Sequence, residues 1–149
     1  MVLRSLHEPK CRLRMVLVGD GQRDRRREGQ VSVLKIYVAG PYTASTPALV
    51  LDNVHAALDA GIEIIRRGHV PFIPHLTHWI EKRNERETER HGFRLVYEDY
   101  LRLDMVWLAE CDAVLYLGSS PGADRELAVA EGRGLTVYRA VEDIPERPV

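Results

Sequence analysis

Beyond residue 30 the chain alternates short, β-branched apolar runs with longer segments in which apolar side chains recur every three or four positions. The first pattern belongs to buried strands and the second to helices laid on a sheet, so together they predict a parallel sheet covered by helices. Strands are expected over residues 33–39, 70–73, 113–117 and 135–138. Between the first two, a helix is expected over residues 47–67, with Leu51, Val54, Leu58, Ile62 and Ile65 as its apolar stripe and Gly68 as its stop. Further helices are expected over residues 93–109 and 123–131, the latter closed by Gly132 and Gly134. Residues 81–90 are almost wholly charged and read as an exposed helix end or a mobile loop. The tail from residue 141 has room for one short helical turn before Pro145, and the run Met15-Val16-Leu17-Val18 can supply an extra edge strand, giving four to five strands in all.

Right-handed crossovers bring the loops that follow the strands to one carboxyl edge of the sheet, where open α/β folds bind ligands. The pattern therefore directs attention to residues 40–45, 74–78 and 118–126. It describes one domain: 149 residues suit a single core, and there is no internal repeat.

Charge and cysteine content refine this only slightly. The first 30 residues carry eight Lys or Arg against four acids, while the remainder is acidic, within a formal net charge of -1. That basic segment is expected to be a solvated, poorly ordered extension outside a domain spanning residues 31–149, with nucleic acid an improbable partner. It lacks the apolar stretch of a signal peptide, and no run approaches the roughly 20 apolar residues that cross a bilayer. Two cysteines, Cys11 and Cys111, form no disulfide framework and fit a reducing, cytoplasmic setting.

The segment Ser119-Ser120-Pro121-Gly122-Ala123-Asp124-Arg125-Glu126 joins a strand end to a helix start. Backbone N–H groups at a helix N-terminus, a small Gly122 and the Ser120 hydroxyl can together hold a phosphate. Glu126 falls near the start of that helix, where the dipole should lower its pKa and keep it ionised as a nucleophile requires. A plain Ser N-cap followed by first-turn acids accounts for the same spacing equally well. On the preceding helix, Tyr97, Leu101, Asp104 and Leu108 share one stripe with Tyr100, Leu103 and Trp107 beside it, so Asp104 interrupts an apolar face. Either it pairs with a structural donor, or it faces the ligand crevice as an acid. Two carboxylates across one crevice are the equipment of retaining glycosyl transfer.

Gly40-Pro41-Tyr42-Thr43 lacks the spaced glycines of a dinucleotide fingerprint, which argues against NAD. Tyr42 is a candidate to stack on or bond a ligand, or is a turn aromatic on the rim. His75 and His78 stand three apart with no third ligand nearby, so neither a metal nor any other cofactor is expected; either histidine can contact a base or sugar.

These residues together resemble the nucleoside 2-deoxyribosyltransferase family and its relatives, the 2'-deoxynucleoside 5'-phosphate N-hydrolases. The likeness spans about residues 35–138. It rests on Ile36-Tyr37-Val38-Ala39-Gly40-Pro41-Tyr42, on Asp104-Met105-Val106-Trp107-Leu108 with Cys111-Asp112-Ala113-Val114, and on Ser120-Pro121-Gly122 with Glu126, Ala130 and Gly134. The chain departs from the family's pattern at Pro41-Tyr42 and in the charged residues 81–90. The resemblance implies a flavodoxin-like sheet, no metal, a covalent glycosyl intermediate on Glu126, and Asp104 contacting the sugar or assisting the departing base. It also implies a homodimer or larger homo-oligomer. Ser120-x-Gly122 matches the phosphate-binding form, so the expected activity is N-glycosidic cleavage of a (deoxy)ribonucleoside 5'-monophosphate. Base exchange between nucleosides and a non-catalytic nucleotide sensor are the alternatives.

Overall fold

The computed structural model describes residues 32–147. The basic extension and the Met15–Val18 run lie outside the described residues. Four strands, β1 (Lys35–Ala39), β2 (Val70–Phe72), β3 (Ala113–Tyr116) and β4 (Thr136–Tyr138), form one sheet in the order β2-β1-β3-β4. Every pairing is parallel: Ile36 lies opposite Pro71 and Ala113, and Val114 opposite Val137. Four α-helices cross between or flank these strands: α1 (Pro47–Arg66), α2 (Thr77–His91), α3 (Tyr97–Ala109) and α4 (Pro121–Gly132). The result is an α/β three-layer fold of the flavodoxin-like kind. The expected tail turn exists as a 3₁₀ turn at Val141–Asp143.

Because successive strand residues point to opposite faces, β1 and β3 divide their side chains between two cores. Ile36, Val38, Ala113 and Leu115 pack with Ala57 and Ile64 of α1 and with Ile144. On the other face Tyr37, Ala39 and Val114 pack with Leu108 of α3, Cys111 and Ala130 of α4. An aromatic stack ties α3 to that second face. The Tyr37 and Phe72 rings lie 5.6 Å apart, and Phe72 and Trp107 lie 5.0 Å apart at an interplanar angle of 21°.

The buried stripe of α1 differs from the expected one. It is Val54, Ala57, Gly61 and Ile64, whereas Ile62 and Ile65 are 64% and 60% exposed. Small residues explain the rotation: Ala57 and Gly61 let the helix axis approach the sheet closely, and that contact outweighs the larger apolar side chains around the helix. A Cβ built on Gly61 would lie 2.3 Å from Ile73 Cδ1. Both α1 and α4 end in the same manner. Gly68 (φ 84°) and Gly134 (φ 71°) take left-handed conformations, and the two N–H groups at each end bond back to the last turn. Gly134 is thus the cap of α4, and Gly132 is still inside the helix.

Residues 81–90 are helical, as part of α2, and not a loop. Ion pairs at helical spacing sustain this polar segment: Lys82 with Glu85 at 3.0 Å and Arg83 with Glu87 at 2.8 Å. The helix expected over residues 93–109 begins at Tyr97 and not at residue 93, because the preceding residues form a strap held to α2. Asn84 Oδ1 accepts from the Leu95 N–H at 2.9 Å, and Asn84 Nδ2 donates to the Phe93 carbonyl at 3.2 Å. No helix among the described residues is long and apolar enough to cross a membrane.

The close α1 contact has a measurable consequence. Gly61→Ala should lower stability by about 1–3 kcal/mol through overpacking. Adding Ile73→Val, which removes the clashing methyl, should recover most of that loss. Urea denaturation of the single and double variants checks the coupling.

Candidate active site

The loops after β1, β2 and β3 converge, as the crossover rule requires, on one cavity of about 410 Å³ at the carboxyl edge of the sheet. Seven of the eight residues singled out from the sequence line it: Gly40, Tyr42, His75, Asp104, Ser120, Gly122 and Glu126. His78 does not. It is buried, and its Nδ1 lies 2.9 Å from the Tyr42 hydroxyl, so it acts on the cavity through that tyrosine.

Glu126 sits on the inner face of α4, 6% exposed, directly under β1. Tyr37, wholly buried in the middle of β1, donates its phenolic proton to Glu126 Oε1 at 2.7 Å. The expectation that the helix dipole lowers the Glu126 pKa is overturned. Ser120 is the N-cap, so Glu126 lies in the second helical turn, beyond the reach of the exposed N–H groups. Burial dominates there and pushes its pKa up to about 7, with the Tyr37 hydrogen bond opposing the rise and the nearby Asp104 charge adding to it. The acid that the first turn does hold ionised is Asp124. It accepts from Tyr116 Oη at 2.6 Å and Ser119 Oγ at 2.8 Å, which keeps its carboxyl below the usual range.

Asp104 projects from α3 into the same cavity, and burial raises its pKa to about 6. Of the two readings open from the sequence, a structural partner or a crevice-facing acid, the geometry shows the second, since Asp104 Oδ1 is buried without a hydrogen-bond partner. Its stripe divides along the helix: Tyr97 and Leu101 also line the cavity, while Leu108 reaches the core below. Phe72 stacking on Trp107 fixes this rotation of α3, and so the direction of Asp104 one turn earlier.

The start of α4 shows the capping foreseen for it. Ser120 Oγ accepts from the Ala123 N–H at 3.2 Å, which is ordinary capping, and its own O–H remains available to the cavity that it lines. A Cβ on Gly122 would meet only Tyr97 Oη, at an ordinary contact distance of 3.8 Å, so the backbone there is open towards the cavity. Arg94, on the strap before α3, is the single Lys or Arg lining the cavity among the described residues.

His75 is 4% exposed, and its Nε2 lies 2.9 Å from the Pro41 carbonyl. A carbonyl only accepts, so Nε2 carries the proton, and burial, which lowers the imidazole pKa, keeps the ring neutral. Its Nδ1 therefore offers a lone pair, and that atom is buried and unpartnered. Four buried side-chain polar atoms lack a partner among the described residues, and three of them, His75 Nδ1, Tyr100 Oη and Asp104 Oδ1, belong to residues lining this cavity. Such atoms normally find partners, so their concentration leaves this cavity wall with free hydrogen-bonding capacity.

Sequence reasoning missed Tyr37 as a positioning group, and missed Glu81, Arg94 and Tyr100 as cavity residues. Only Tyr37 carried a signal: a hydroxyl inside an otherwise apolar central strand demands a buried partner. Among the described residues, no group of three or more His, Cys, Asp or Glu is placed to hold a metal ion. No family model matches this chain, and no curated protein matches it.

Carboxyl groups whose pKa values are raised on folding favour the native state at low pH. That contribution is present below about pH 4 and is lost as the pH climbs through about 6 for Asp104 and about 7 for Glu126. Glu126→Gln should accordingly raise the melting temperature at pH 8, by the equivalent of about 1–3 kcal/mol, and change it little at pH 5. Thermal melts at the two pH values measure the difference.

Proposed function

We propose that the chain cleaves the N-glycosidic bond of a (deoxy)ribonucleoside 5'-monophosphate through a glycosyl ester on Glu126. The observation that carries this reading is that Glu126 and Asp104, from different helices, enter one cavity and share an environment that raises both pKa values into the neutral range. In this scheme Glu126 Oε2 attacks C1', and the C1'–N bond breaks with its electron pair moving to the base. Asp104, in its acid form, protonates that base. Water then adds to C1', the ester C1'–O bond breaks, Glu126 leaves as carboxylate, and the proton of the water passes to Asp104. Tyr37 bonds the other oxygen of Glu126 and so leaves Oε2 for the attack.

The rest of the cavity supports a nucleotide in this role. The Ser120 hydroxyl, the Gly122 N–H at the head of α4, and Arg94 supply donors for a 5'-phosphate. The His75 Nδ1 lone pair suits a sugar hydroxyl. No step calls for a metal or an organic cofactor.

The reactive form holds one proton on the carboxyl pair. Because the two groups titrate near 6 and near 7, the singly protonated pair is most abundant between them, and since Glu126 is the weaker acid the reactive arrangement, with the proton on Asp104, is its minor tautomer. A plot of kcat/KM for base release against pH should therefore be a bell centred between about pH 6 and 7. Glu126→Ala should abolish release in chromatographic assays with a panel of nucleosides and monophosphates, while leaving the circular dichroism spectrum unchanged. Tyr37→Phe removes a bond that favours the Glu126 carboxylate, so it should move the basic limb to higher pH, deplete the tautomer with the proton on Asp104 and slow release about tenfold. Retained turnover in Glu126→Ala removes the mechanism. If added free base yields a new nucleoside in place of free sugar phosphate, the activity is transfer and not hydrolysis.

A further inference from the structure

The cavity has a second polar pole, which the glycosidic chemistry does not use. Tyr42, on the loop after β1, donates its phenolic proton to Glu81 Oε2 on α2. A phenol has one proton to give, so the 2.9 Å contact between Tyr42 Oη and His78 Nδ1 requires the imidazole to donate there. His78, Tyr42 and Glu81 thus form a directed chain that ends on a carboxylate in the cavity wall. Two T-shaped contacts, to His75 and His78, with ring centroids 6.1 and 6.0 Å away, hold the Tyr42 ring in place. Tyr100, from the first turn of α3, lines the same cavity with a buried, unpartnered hydroxyl. Burial and then the charge of Glu81 hold that hydroxyl in its protonated form.

The pole therefore presents a carboxylate that can only accept beside a phenol that can donate. Its complement is a planar edge carrying N–H donors next to an acceptor, set between the apolar flanks of Leu95, Val96 and Leu101. Guanine fits best. Its N1–H and 2-amino group are adjacent donors, which suits a carboxylate, and its O6 lies next to them for the phenol. Hypoxanthine lacks the amino group. Adenine turns a ring-nitrogen lone pair towards the carboxylate where guanine has N1–H.

We propose that Glu81, held by Tyr42 and His78, reads the base together with Tyr100, and that this pole selects a guanine. The assignment rests on the nucleotide reading given above, and it concerns binding and not turnover.

Calorimetric titration of the full chain, in a Glu126→Ala background so that no turnover intrudes, tests it with the 5'-monophosphates of deoxyguanosine, deoxyinosine and deoxyadenosine and with deoxyribose 5-phosphate. The guanine nucleotide should bind about tenfold or more tightly than the hypoxanthine one, with the adenine nucleotide weaker still. Glu81→Gln should cut guanine-nucleotide affinity about tenfold or more, collapse the guanine-to-hypoxanthine ratio, and leave the base-free sugar phosphate unaffected. Tyr100→Phe should weaken both six-oxo purine nucleotides alike and preserve their ratio. An equal loss for every ligand in Glu81→Gln, an unchanged base ranking, or no binding by any base-bearing ligand overturns the proposal. Base release by the unmodified chain is scored separately. Ranked binding without release keeps the base reader and removes the glycosidase reading, whereas release without ranking does the reverse.

Discussion

The hydrogen bond from Tyr37 to Glu126 is the constraint on which the arrangement of the site depends. A glutamate that is 6% exposed, in the second turn of a helix packed against a sheet, costs free energy unless something bonds it. Tyr37 is the partner, and it is itself fixed three times over: by its place in the central strand, by the stack with Phe72, and by burial in the core beneath α3 and α4. Strand β1 therefore does more than divide the two cores. It aims the carboxylate of α4 at the sheet's carboxyl edge, and through Phe72 and Trp107 it also sets the rotation of α3 that turns Asp104 into the same space.

That arrangement is electrostatically costly. Glu81, Asp104 and Glu126 line a cavity to which Arg94 contributes the single Lys or Arg among the described residues. Two of these acids respond by holding protons up to near-neutral pH, and the third, Glu81, accepts a hydrogen bond from the Tyr42 hydroxyl. Three unpartnered buried polar atoms on its lining residues add to the cost. Buried polar groups left without hydrogen-bond partners lower stability. The groups are spatially ordered: Asp104 and Glu126 project from α3 and α4, while Glu81 enters from α2 with Tyr42 bonded to it.

Most of the architecture was legible from local pattern. The four strands, the sheet's class and the convergence of residues 40–45, 74–78 and 118–126 all follow from alternation and crossover handedness, which need no tertiary detail. What was not legible depended on packing between distant elements. The α1 stripe rotated because Ala57 and Gly61 permit an approach that hydrophobicity alone does not reveal. The helicity of residues 81–90 comes from i,i+3 and i,i+4 ion pairs and a loop held by Asn84, and charge density by itself suggested a loop equally well. Glu126 was placed correctly at the crevice, yet its protonation was misjudged. Counting from the true N-cap moves it out of the dipole's reach, and its burial against Tyr37 spans 89 residues of sequence.

The most direct test of this account is a pH titration of the carboxyl carbons of Asp104 and Glu126 by carbon NMR, with Asp104→Asn and Glu126→Gln used to assign the signals. Both resonances should titrate well above the ordinary carboxylate range, near 6 and near 7, and removal of Asp104 should lower the midpoint of Glu126. Midpoints near 4 for both groups, independent of each other, would contradict a shared buried site and everything inferred from it.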